Sequence, residues 1–301
     1  MFIGTYTVLI TPFAADGSLD ERALRDHVEW QIAEGIHGLI PNGSTGEFLC
    51  LTDGERRRVA EVVVEQAAGR VPVLIGTGAE STRDAISWTR HAESIGADGA
   101  MIIPPYYSRP DDEELVAHYT AIAQTVRFPI MIYNNPSTAG VDLLPSLLSR
   151  LAEVENLSYV KESTFDVRRV RDIIALCGDR MRVFGGILAF ESFCLGAVGW
   201  VAVCSNIIPR LSAQLFEDHA AGDHDAGLAL YRRLLPLLAM LEAGKYVQVP
   251  KAALAMLGRP VGESRAPRLP LPPAQREQLT YILRDLDLPL VQSATSMAST
   301  P

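Results

Sequence analysis

Short runs of apolar residues alternate with longer stretches of helical periodicity along most of this chain. The short runs are rich in β-branched residues, which favour strands, and the stretches that follow repeat apolar positions every three or four residues, as amphipathic helices do. The predicted strands cover residues 6–10, 38–41, 71–75, 99–103, 130–133, 157–161, 182–184 and 200–204. The pattern therefore predicts eight strand–helix units.

Eight consecutive units of this kind favour a closed barrel. Two strands joined by a helix normally lie parallel, and eight such units close into a ring without a free sheet edge. The alternative is an open, doubly wound sheet, but no G-x-G-x-x-G motif follows the first predicted strand. The predicted fold class is α/β, a (β/α)8 TIM barrel over residues 1–220.

The sequence after the eighth predicted strand indicates a helical extension. The strand signal stops after Pro209, and apolar residues such as Leu234, Leu238 and Leu241 recur at helical spacing. We expect residues 221–290 to form helices that pack on the barrel or on a partner subunit. Residues 291–301 are predicted to be a disordered tail.

The composition argues against nucleic acids and membranes as partners. Hydrophobic residues make up 48% of the chain and its formal net charge is −9, which predicts an ample core and no basic surface for a polyanion. No stretch of about 18 uninterrupted apolar residues occurs, and residues 1–4 lack the charged start of a signal peptide. We therefore expect a cytoplasmic protein.

Metal and disulfide chemistry are not indicated either. The four cysteines, Cys50, Cys177, Cys194 and Cys204, show no C-x-x-C spacing, which predicts reduced thiols within apolar elements. The six histidines show no spacing typical of metal ligands. The sequence therefore predicts no metal site.

Lys161 is the first candidate for chemistry. The chain has three lysines among its 27 basic residues, and this one ends the predicted sixth strand. A buried ammonium is costly unless it is paired or neutralised, and a lysine made neutral by desolvation is a nucleophile toward a ketone. The alternative is a surface lysine that reaches solvent or an ion pair.

Polar residues also follow other predicted strands, and the carboxyl ends of all strands of a barrel share one mouth. Residues 43–47 read GSTGE, whose glycines permit a tight turn and whose backbone N–H groups can hold a carboxylate; the alternative is an ordinary turn before a helix cap. Residues 104–107 read PPYY and place phenols at the rim, although aromatic packing alone also explains them. Tyr133 ends the strand beside that of Lys161.

A tyrosine beside a desolvated lysine can relay protons during attack on a 2-oxo acid, because the carbinolamine oxygen must leave as water. The resulting protonated imine is an electron sink, so a bond at the β-carbon of the adduct can be made or broken. This pairing of Tyr133 and Lys161 favours aldol cleavage, aldol addition or loss of a β-hydroxyl group.

Four motifs resemble, in order and spacing, the dihydrodipicolinate synthase and N-acetylneuraminate lyase family of Schiff-base-forming class I pyruvate aldolases. They are GSTGE at 43–47, PYY at 105–107, YNxP at 133–136 and VKE at 160–162. The resemblance covers roughly residues 4–290. It implies an eight-stranded barrel with a C-terminal helical extension, no cofactor, and a homotetramer built as a dimer of dimers.

The resemblance also implies a role for each motif. Lys161 would form the imine, Tyr133 would act as general acid and base, and Ser44 and Thr45 would hold the carboxylate of a small 2-oxo acid, pyruvate or a larger one. Tyr107 would complete a proton relay from a neighbouring subunit. The expected catalytic residues are thus Lys161, Tyr133, Tyr107 and Ser44, and the expected substrate-binding residues are Gly43, Thr45, Gly46, Thr138, Gly186 and Val203.

Two positions depart from the patterns of the family. The synthases carry an arginine two residues after the proline of YNxP, where it binds the carboxylate of the aldehyde substrate, whereas this chain has Thr138, which cannot make a bidentate contact. Sialic acid lyases present acidic residues after the seventh strand, whereas residues 185–190 read GGILAF and fit a core equally well. Glu191 is a candidate for facing the mouth, and Thr164 and Asn206 are weaker pocket candidates.

These departures favour a lyase for a smaller or less polar 2-oxo acid, by aldol cleavage or condensation with pyruvate as a product or substrate. Dehydration or deamination of a 2-oxo-3-deoxy acid or a related compound through the same imine is the first alternative. The second, disfavoured by Thr138, is 4-hydroxy-tetrahydrodipicolinate synthase. A barrel isomerase with a phosphate-binding turn at Gly185 and Gly186, and a ligand-binding barrel without turnover, also stay open.

Overall fold

Eight parallel strands close into a barrel in the computed structural model, which describes residues 1–291. The strands are β1 (Gly4–Val8), β2 (Gly38–Ile40), β3 (Leu74–Gly76), β4 (Gly99–Ile102), β5 (Ile130–Asn134), β6 (Tyr159–Glu162), β7 (Arg182–Gly185) and β8 (Gly199–Ala202). The order in the sheet is β2-β1-β8-β7-β6-β5-β4-β3. A parallel bridge between Leu39 and Val73 closes the ring, and the predicted TIM barrel is confirmed.

Helices follow the strands and continue beyond the barrel. They are α1 (Glu21–Ala33), α2 (Asp53–Ala67), α3 (Thr82–Ser94), α4 (Asp112–Ala123), α5 (Pro136–Ala139), α6 (Pro145–Leu151), α7 (Arg168–Cys177), α8 (Ala189–Cys194), α9 (Pro209–Ala220), α10 (His224–Met240), α11 (Gln248–Met256) and α12 (Pro273–Asp285). A π-helical turn, Leu241–Lys245, continues α10. The outer faces of the strands and the inner faces of these helices form the largest apolar core.

Alternation along the strands decides which side chains fill the barrel. Successive residues of a strand point to opposite faces, so Tyr159, Lys161 and Ser163 share one face of β6 and its continuation. Tyr159 packs inside the barrel, where its ring centroid lies 6.0 Å from that of Phe184. Val160 belongs to the outer core between strands and helices. The alternation therefore directs Lys161 and Ser163 into the barrel.

The first strand lies earlier in the chain than predicted. It occupies Gly4–Val8 rather than residues 6–10. Ile10 has left the ladder, because its N–H donates to the side-chain Oδ1 of Asn206 at 3.0 Å. The apolar pattern does not encode this contact between residues far apart in the sequence.

Local features of the sequence explain where α2 begins and why β3 begins later than predicted. Thr52 and Glu55 have the spacing of a capping box in the sequence, and both reciprocal hydrogen bonds are present at the start of α2. By contrast, β3 begins at Leu74 rather than at residue 71. Pro72 lies in the predicted stretch and has no N–H to donate to a ladder.

Helices follow the barrel, as the sequence predicted. α9 ends at Ala220 and α10 begins at His224; the division into a barrel and an extension stays a prediction. Of the predicted tail, residues 292–301 lie outside the described residues.

Among the cysteines, Cys177 and Cys204 are buried, whereas Cys194 is exposed, so not every thiol lies in the core. Within residues 1–291, none of the helices combines the length and apolar character that crossing a bilayer requires.

Candidate active site

Lys161 and Tyr133 lie side by side at the carboxyl end of the barrel. Their Cα atoms are register partners in the ladder between β5 and β6, and Lys161 Nζ lies 3.8 Å from the centroid of the Tyr133 ring. Both side chains are buried, with exposed fractions of 5% and 7%. The adjacent Glu162 carboxylate is engaged by Asn134 Nδ2 at 2.9 Å and by Thr164 N–H at 2.8 Å. The amine therefore packs on an aromatic ring.

A cavity of about 260 Å³ opens beside this pair. The predicted site residues that line it are Ser44, Thr45, Tyr133, Thr138, Lys161, Gly186 and Val203. Apolar side chains form much of the remaining wall: Val8, Met101, Phe165, Ile187, Trp200, Leu238 and Leu241. Lys161 is the only cationic residue among those that line it in the described part of the chain. The cavity thus combines one amine, several hydroxyl groups and an apolar wall.

The loop after β2 presents unused donors to the cavity. Its own hydrogen bonds run from Gly46 N–H to Gly43 O at 3.0 Å and from Glu47 N–H to Ser44 O at 3.2 Å. Within residues 1–291, the N–H groups of Ser44 and Thr45 therefore have no protein acceptor. Gly43 lets the loop pack closely, since a Cβ there would lie 2.5 Å from Val8 Cγ1. Such a loop can receive a carboxylate.

A buried ion pair holds this loop from behind. Glu47 adopts a left-handed conformation with φ of 57°, and its Oε1 lies 2.8 Å from Lys251 Nζ on α11, with both side chains almost completely buried. Glu47 Oε2 also accepts from Arg265 N–H at 3.0 Å. Burial lowers the pKa of Lys251, although the Glu47 carboxylate opposes that effect. The C-terminal extension therefore fixes the loop that carries Ser44 and Thr45.

Replacing Lys251 by methionine is expected to lower the free energy of unfolding by about 3 kcal/mol, because the Glu47 carboxylate would stay buried without its ammonium. Urea unfolding of the wild type and the variant measures this change. Lys245→Met in the half-exposed π turn is the control, and we expect it to shift stability by less than about 0.5 kcal/mol. Adding Glu47→Gln to Lys251→Met should recover part of the loss. Equal stability of wild type and Lys251→Met would contradict the ion-pair account.

Ser163 is a cavity residue that the sequence analysis missed. It lines the cavity, and its buried hydroxyl has no hydrogen-bond partner within the described chain. Gly186 makes room for it, since a Cβ at Gly186 would lie only 1.8 Å from Ser163 Oγ. Because Ser163 follows Lys161 by two positions, strand alternation alone would have identified it.

The C-terminal helices complete the wall of the cavity. Four residues from this region line the cavity: Leu238 of α10, Leu241 and Glu242 of the π turn, and Tyr246. Gly244 has a positive φ of 96° within this turn, a conformation that suits glycine. The sequence predicted helices here but not their approach to the mouth.

Two carboxylates lie near this wall. Burial and the neighbouring Glu191 carboxylate raise the pKa of Glu242, which lines the cavity. Glu191, a candidate for facing the mouth, is not among the lining residues and accepts a hydrogen bond from the Tyr231 hydroxyl at 3.1 Å. Additional negative charge is therefore disfavoured on this side of the cavity.

Tyr107 lies outside the cavity of its own chain. Its side chain is 88% exposed. The loop is held by Glu80, whose carboxylate accepts from the N–H groups of Tyr106, Tyr107 and Ser108 at 3.0, 3.0 and 2.8 Å. Burial raises the pKa of Glu80, but these hydrogen bonds outweigh burial and lower it overall. Tyr107 is thus presented outward on a firmly held loop.

Three further candidates lie behind the cavity. Gly46 O accepts from the Thr11 hydroxyl at 2.7 Å, and a Cβ at Gly46 would lie 2.9 Å from Leu9 O. Asn206 is fully buried and bonds the backbone of β1. Thr164 donates its N–H to Glu162. None of the three lines the cavity in the described chain.

The turn at Gly185 and Gly186 is poorly suited to phosphate. Gly186 N–H already donates to Glu162 O at 2.7 Å. The helix that follows, α8, has only six residues. The Gly186 N–H is therefore not available to a phosphate, and a helix this short offers little dipole to hold one.

Comparison with known proteins identifies the family of this chain. The model of the dihydrodipicolinate synthetase family matches residues 1–286. The chain belongs to this family. The 4-hydroxy-tetrahydrodipicolinate synthase of Syntrophobacter fumaroxidans is 43% identical, over 94% of this chain and 98% of its own length. That of Geotalea uraniireducens is 40% identical, over 96% and 100%.

Solved structures of the family share the fold. The dihydrodipicolinate synthase from Aquifex aeolicus matches with a TM-score of 0.93 at 34% identity, over 97% of this chain and 100% of that chain. The chloride-inhibited synthase from Acinetobacter baumannii, complexed with pyruvate, matches with a TM-score of 0.92 at 34% identity, over 96% and 100%. As a member of the dihydrodipicolinate synthetase family, the chain is a Schiff-base-forming lyase.

Proposed function

We propose that this lyase makes or breaks a carbon–carbon bond between pyruvate and an aldehyde without a carboxylate, through an imine on Lys161. The observation that supports the proposal is the buried amine of Lys161, 3.8 Å from the centroid of the Tyr133 ring, in one cavity with Ser44 and Thr45. Covalent catalysis of this kind needs a buried amine next to a group that moves protons.

The loop after β2 would hold the carboxylate of pyruvate. The N–H groups and hydroxyl groups of Ser44 and Thr45 supply donors for its oxygens, and the loop is fixed through Glu47. Bound there, pyruvate would have its ketone carbon beside Lys161. Ser163 offers one more hydroxyl within the same cavity.

The chemistry then follows in four steps. The Lys161 amine attacks the ketone carbon, Tyr133 gives a proton to the carbinolamine oxygen, and water leaves to form the protonated imine. The Tyr133 phenolate takes a proton from the methyl group, which restores the phenol and gives the enamine, whose carbon then attacks the aldehyde carbon. The new alkoxide takes a proton from Tyr133, and water hydrolyses the imine to release a 4-hydroxy-2-oxo acid. Cleavage is the reverse sequence.

The wall of the cavity favours an uncharged aldehyde. Thr138 stands where the family's synthases carry an arginine, and Phe165, Ile187 and Leu241 are apolar. A carboxylate on this side would also meet Glu242, whose pKa is raised by burial and by the neighbouring Glu191 carboxylate. Desolvating a carboxylate without a cation is costly.

A second copy of the chain would complete the proton relay. Tyr107 is exposed on the loop held by Glu80 and is absent from the lining of its own cavity. It can reach a site only if another subunit presents it, which agrees with the predicted homotetramer. Both the tetramer and this role stay predictions.

A second candidate function is 4-hydroxy-tetrahydrodipicolinate synthase, the activity named for the relatives that are 43% and 40% identical. One observation favours it. Arg268 lines a smaller cavity of about 160 Å³ whose wall also includes Ser44 and Thr138. Its guanidinium lies 3.8 Å from Glu47 and would bind an acceptor carboxylate in place of the missing arginine.

The proposal is tested by pyruvate turnover with a panel of aldehydes. We expect the wild type to prefer uncharged aldehydes to aspartate semialdehyde. Thr138→Arg should raise kcat/KM for aspartate semialdehyde at least about tenfold, because a bidentate contact with a carboxylate contributes roughly 1.5–3 kcal/mol. Thr138→Gln, with a neutral amide, is the matched control and should give no such gain.

Other results would favour the alternatives. Preference of the wild type for aspartate semialdehyde, lost in Arg268→Gln, would support the second candidate. Release of ammonia or water from a 2-oxo acid without an aldehyde product would support deamination or dehydration. Pyruvate that forms an imine but is never turned over would support a binding protein.

A further inference from the structure

We propose that Asn135 is a positioning residue for Tyr133, and that its side-chain amide donates a hydrogen bond to the phenol oxygen. Asn135 Nδ2 lies 2.8 Å from Tyr133 Oη. Asn135 occupies the variable position of the YNxP motif and lines the cavity. This inference rests on the proposed function, because it assigns Asn135 a role in the proton transfers of Tyr133.

The surroundings of Asn135 fix the orientation of its amide. The side-chain oxygen, Oδ1, accepts from the Ser137 hydroxyl at 2.7 Å and from Thr138 N–H at 3.3 Å, where it caps the start of α5. A backbone N–H can only donate, so the oxygen of the amide must face Thr138 and its nitrogen must face Tyr133. The hydrogen bond to the phenol therefore runs from Asn135 to the oxygen.

This direction leaves the proton of the phenol available. An amide nitrogen accepts no hydrogen bond, so the Tyr133 hydroxyl cannot donate its proton to Asn135. The proton is free for the oxygen that leaves as water during imine formation. The same N–H donor stabilises the negative charge that develops on the phenol oxygen, since a hydrogen bond to a charged acceptor is stronger than one to a neutral acceptor.

The contact also links two parts of the site. The residue that holds Tyr133 caps the short helix α5, which carries Thr138 at the acceptor side of the cavity. Lys161 Nζ packs on the face of the same ring. Asn135 at the phenol oxygen and Lys161 at the ring face therefore both restrict the Tyr133 side chain.

Two variants distinguish the hydrogen bond that Asn135 donates to Tyr133 from its role as the N-cap of α5. Asn135→Ser keeps a side-chain oxygen that can cap α5 but is too short to reach the phenol. Asn135→Asp keeps the capping oxygen and places an acceptor against the phenol oxygen. The rate of imine formation is followed by quenching the protein with pyruvate and borohydride at successive times and measuring the adduct by intact mass.

We expect Asn135→Ser to form the imine about 10- to 100-fold more slowly than the wild type, with similar half-saturation by pyruvate and a similar urea midpoint. Asn135→Asp should be slower still at pH 7. Its rate relative to the wild type should rise as the pH is lowered toward 5, because a protonated aspartate can again donate to the phenol. A purely structural role for Asn135 would not produce this pH profile.

The outcomes are distinguishable. A wild type that forms the adduct, with Asn135→Ser and Asn135→Asp equally fast and without pH dependence, overturns this inference and leaves the proposed function intact. A slower rate that only follows a lower urea midpoint also overturns it. A wild type that forms no adduct overturns the proposed function and this inference with it.

Discussion

Replacing Lys161 by methionine is expected to lower kcat/KM by about 10⁴- to 10⁶-fold, the scale seen when a covalent nucleophile is removed. Methionine matches the length and apolar stem of lysine and can pack on the Tyr133 ring, so the fold should persist. The amine, by contrast, has no substitute: Lys161 is the only cationic residue that lines the main cavity in the described part of the chain.

The loss is measured by steady-state kinetics with pyruvate and the best aldehyde of the panel. The chain offers a matched control, because Lys245 lies in the neighbouring π turn and is not among the residues that line the cavity. Lys245→Met should keep wild-type kinetics. A kcat/KM of Lys161→Met within tenfold of the wild-type value would show that catalysis does not need an imine on Lys161.

Replacing Tyr133 by phenylalanine is expected to lower kcat by about two to four orders of magnitude, the range for lost general acid–base catalysis. The ring that packs against Lys161 remains, since Lys161 Nζ contacts the face of the ring rather than the hydroxyl. Pyruvate should therefore still bind, with a dissociation constant within a few fold of wild type by calorimetry. Only the steps that move a proton should slow.

Tyr119→Phe is the control for removing a buried phenol hydroxyl elsewhere. Tyr119 lies on α4, outside the barrel, and donates to Ile102 O at 3.1 Å. Its loss should lower the free energy of unfolding by about 1 kcal/mol and leave kcat unchanged. Comparable kcat values for wild type and Tyr133→Phe would show that another group carries the proton.

The fold was largely predictable because the barrel repeats one simple pattern. Each strand is a short apolar run, and the capping signal at Thr52 and Glu55 is local. The misplaced end of β1 shows the limit of this approach. The strand ends at Val8, and two residues later the Ile10 N–H bonds the side chain of Asn206, a contact that no local pattern encodes.

The site was predictable wherever a residue ends a strand. Lys161 and Tyr133 are register partners as the adjacent strands required, and the same alternation would have found Ser163. The acceptor side was not predictable, because Leu238 and Glu242 reach the cavity from α10 and from the π turn that follows it. Their position depends on tertiary packing that sequence periodicity does not specify.

The hydrogen bond between Asn135 and Tyr133 illustrates a third limit. The sequence places the two residues two positions apart, which puts them on the same face of an extended strand. Only the end of β5 and the start of α5 turn the Asn135 side chain back toward the phenol oxygen. Motif matching alone treats this position as variable.

The most direct test of the account is to incubate the wild type with pyruvate and borohydride and to locate the trapped adduct by peptide mass spectrometry. The chain has only three lysines, Lys161, Lys245 and Lys251, so the assignment is unambiguous. We predict a single pyruvyl adduct on Lys161. An unmodified protein, or an adduct on Lys245 or Lys251 instead, would contradict the account.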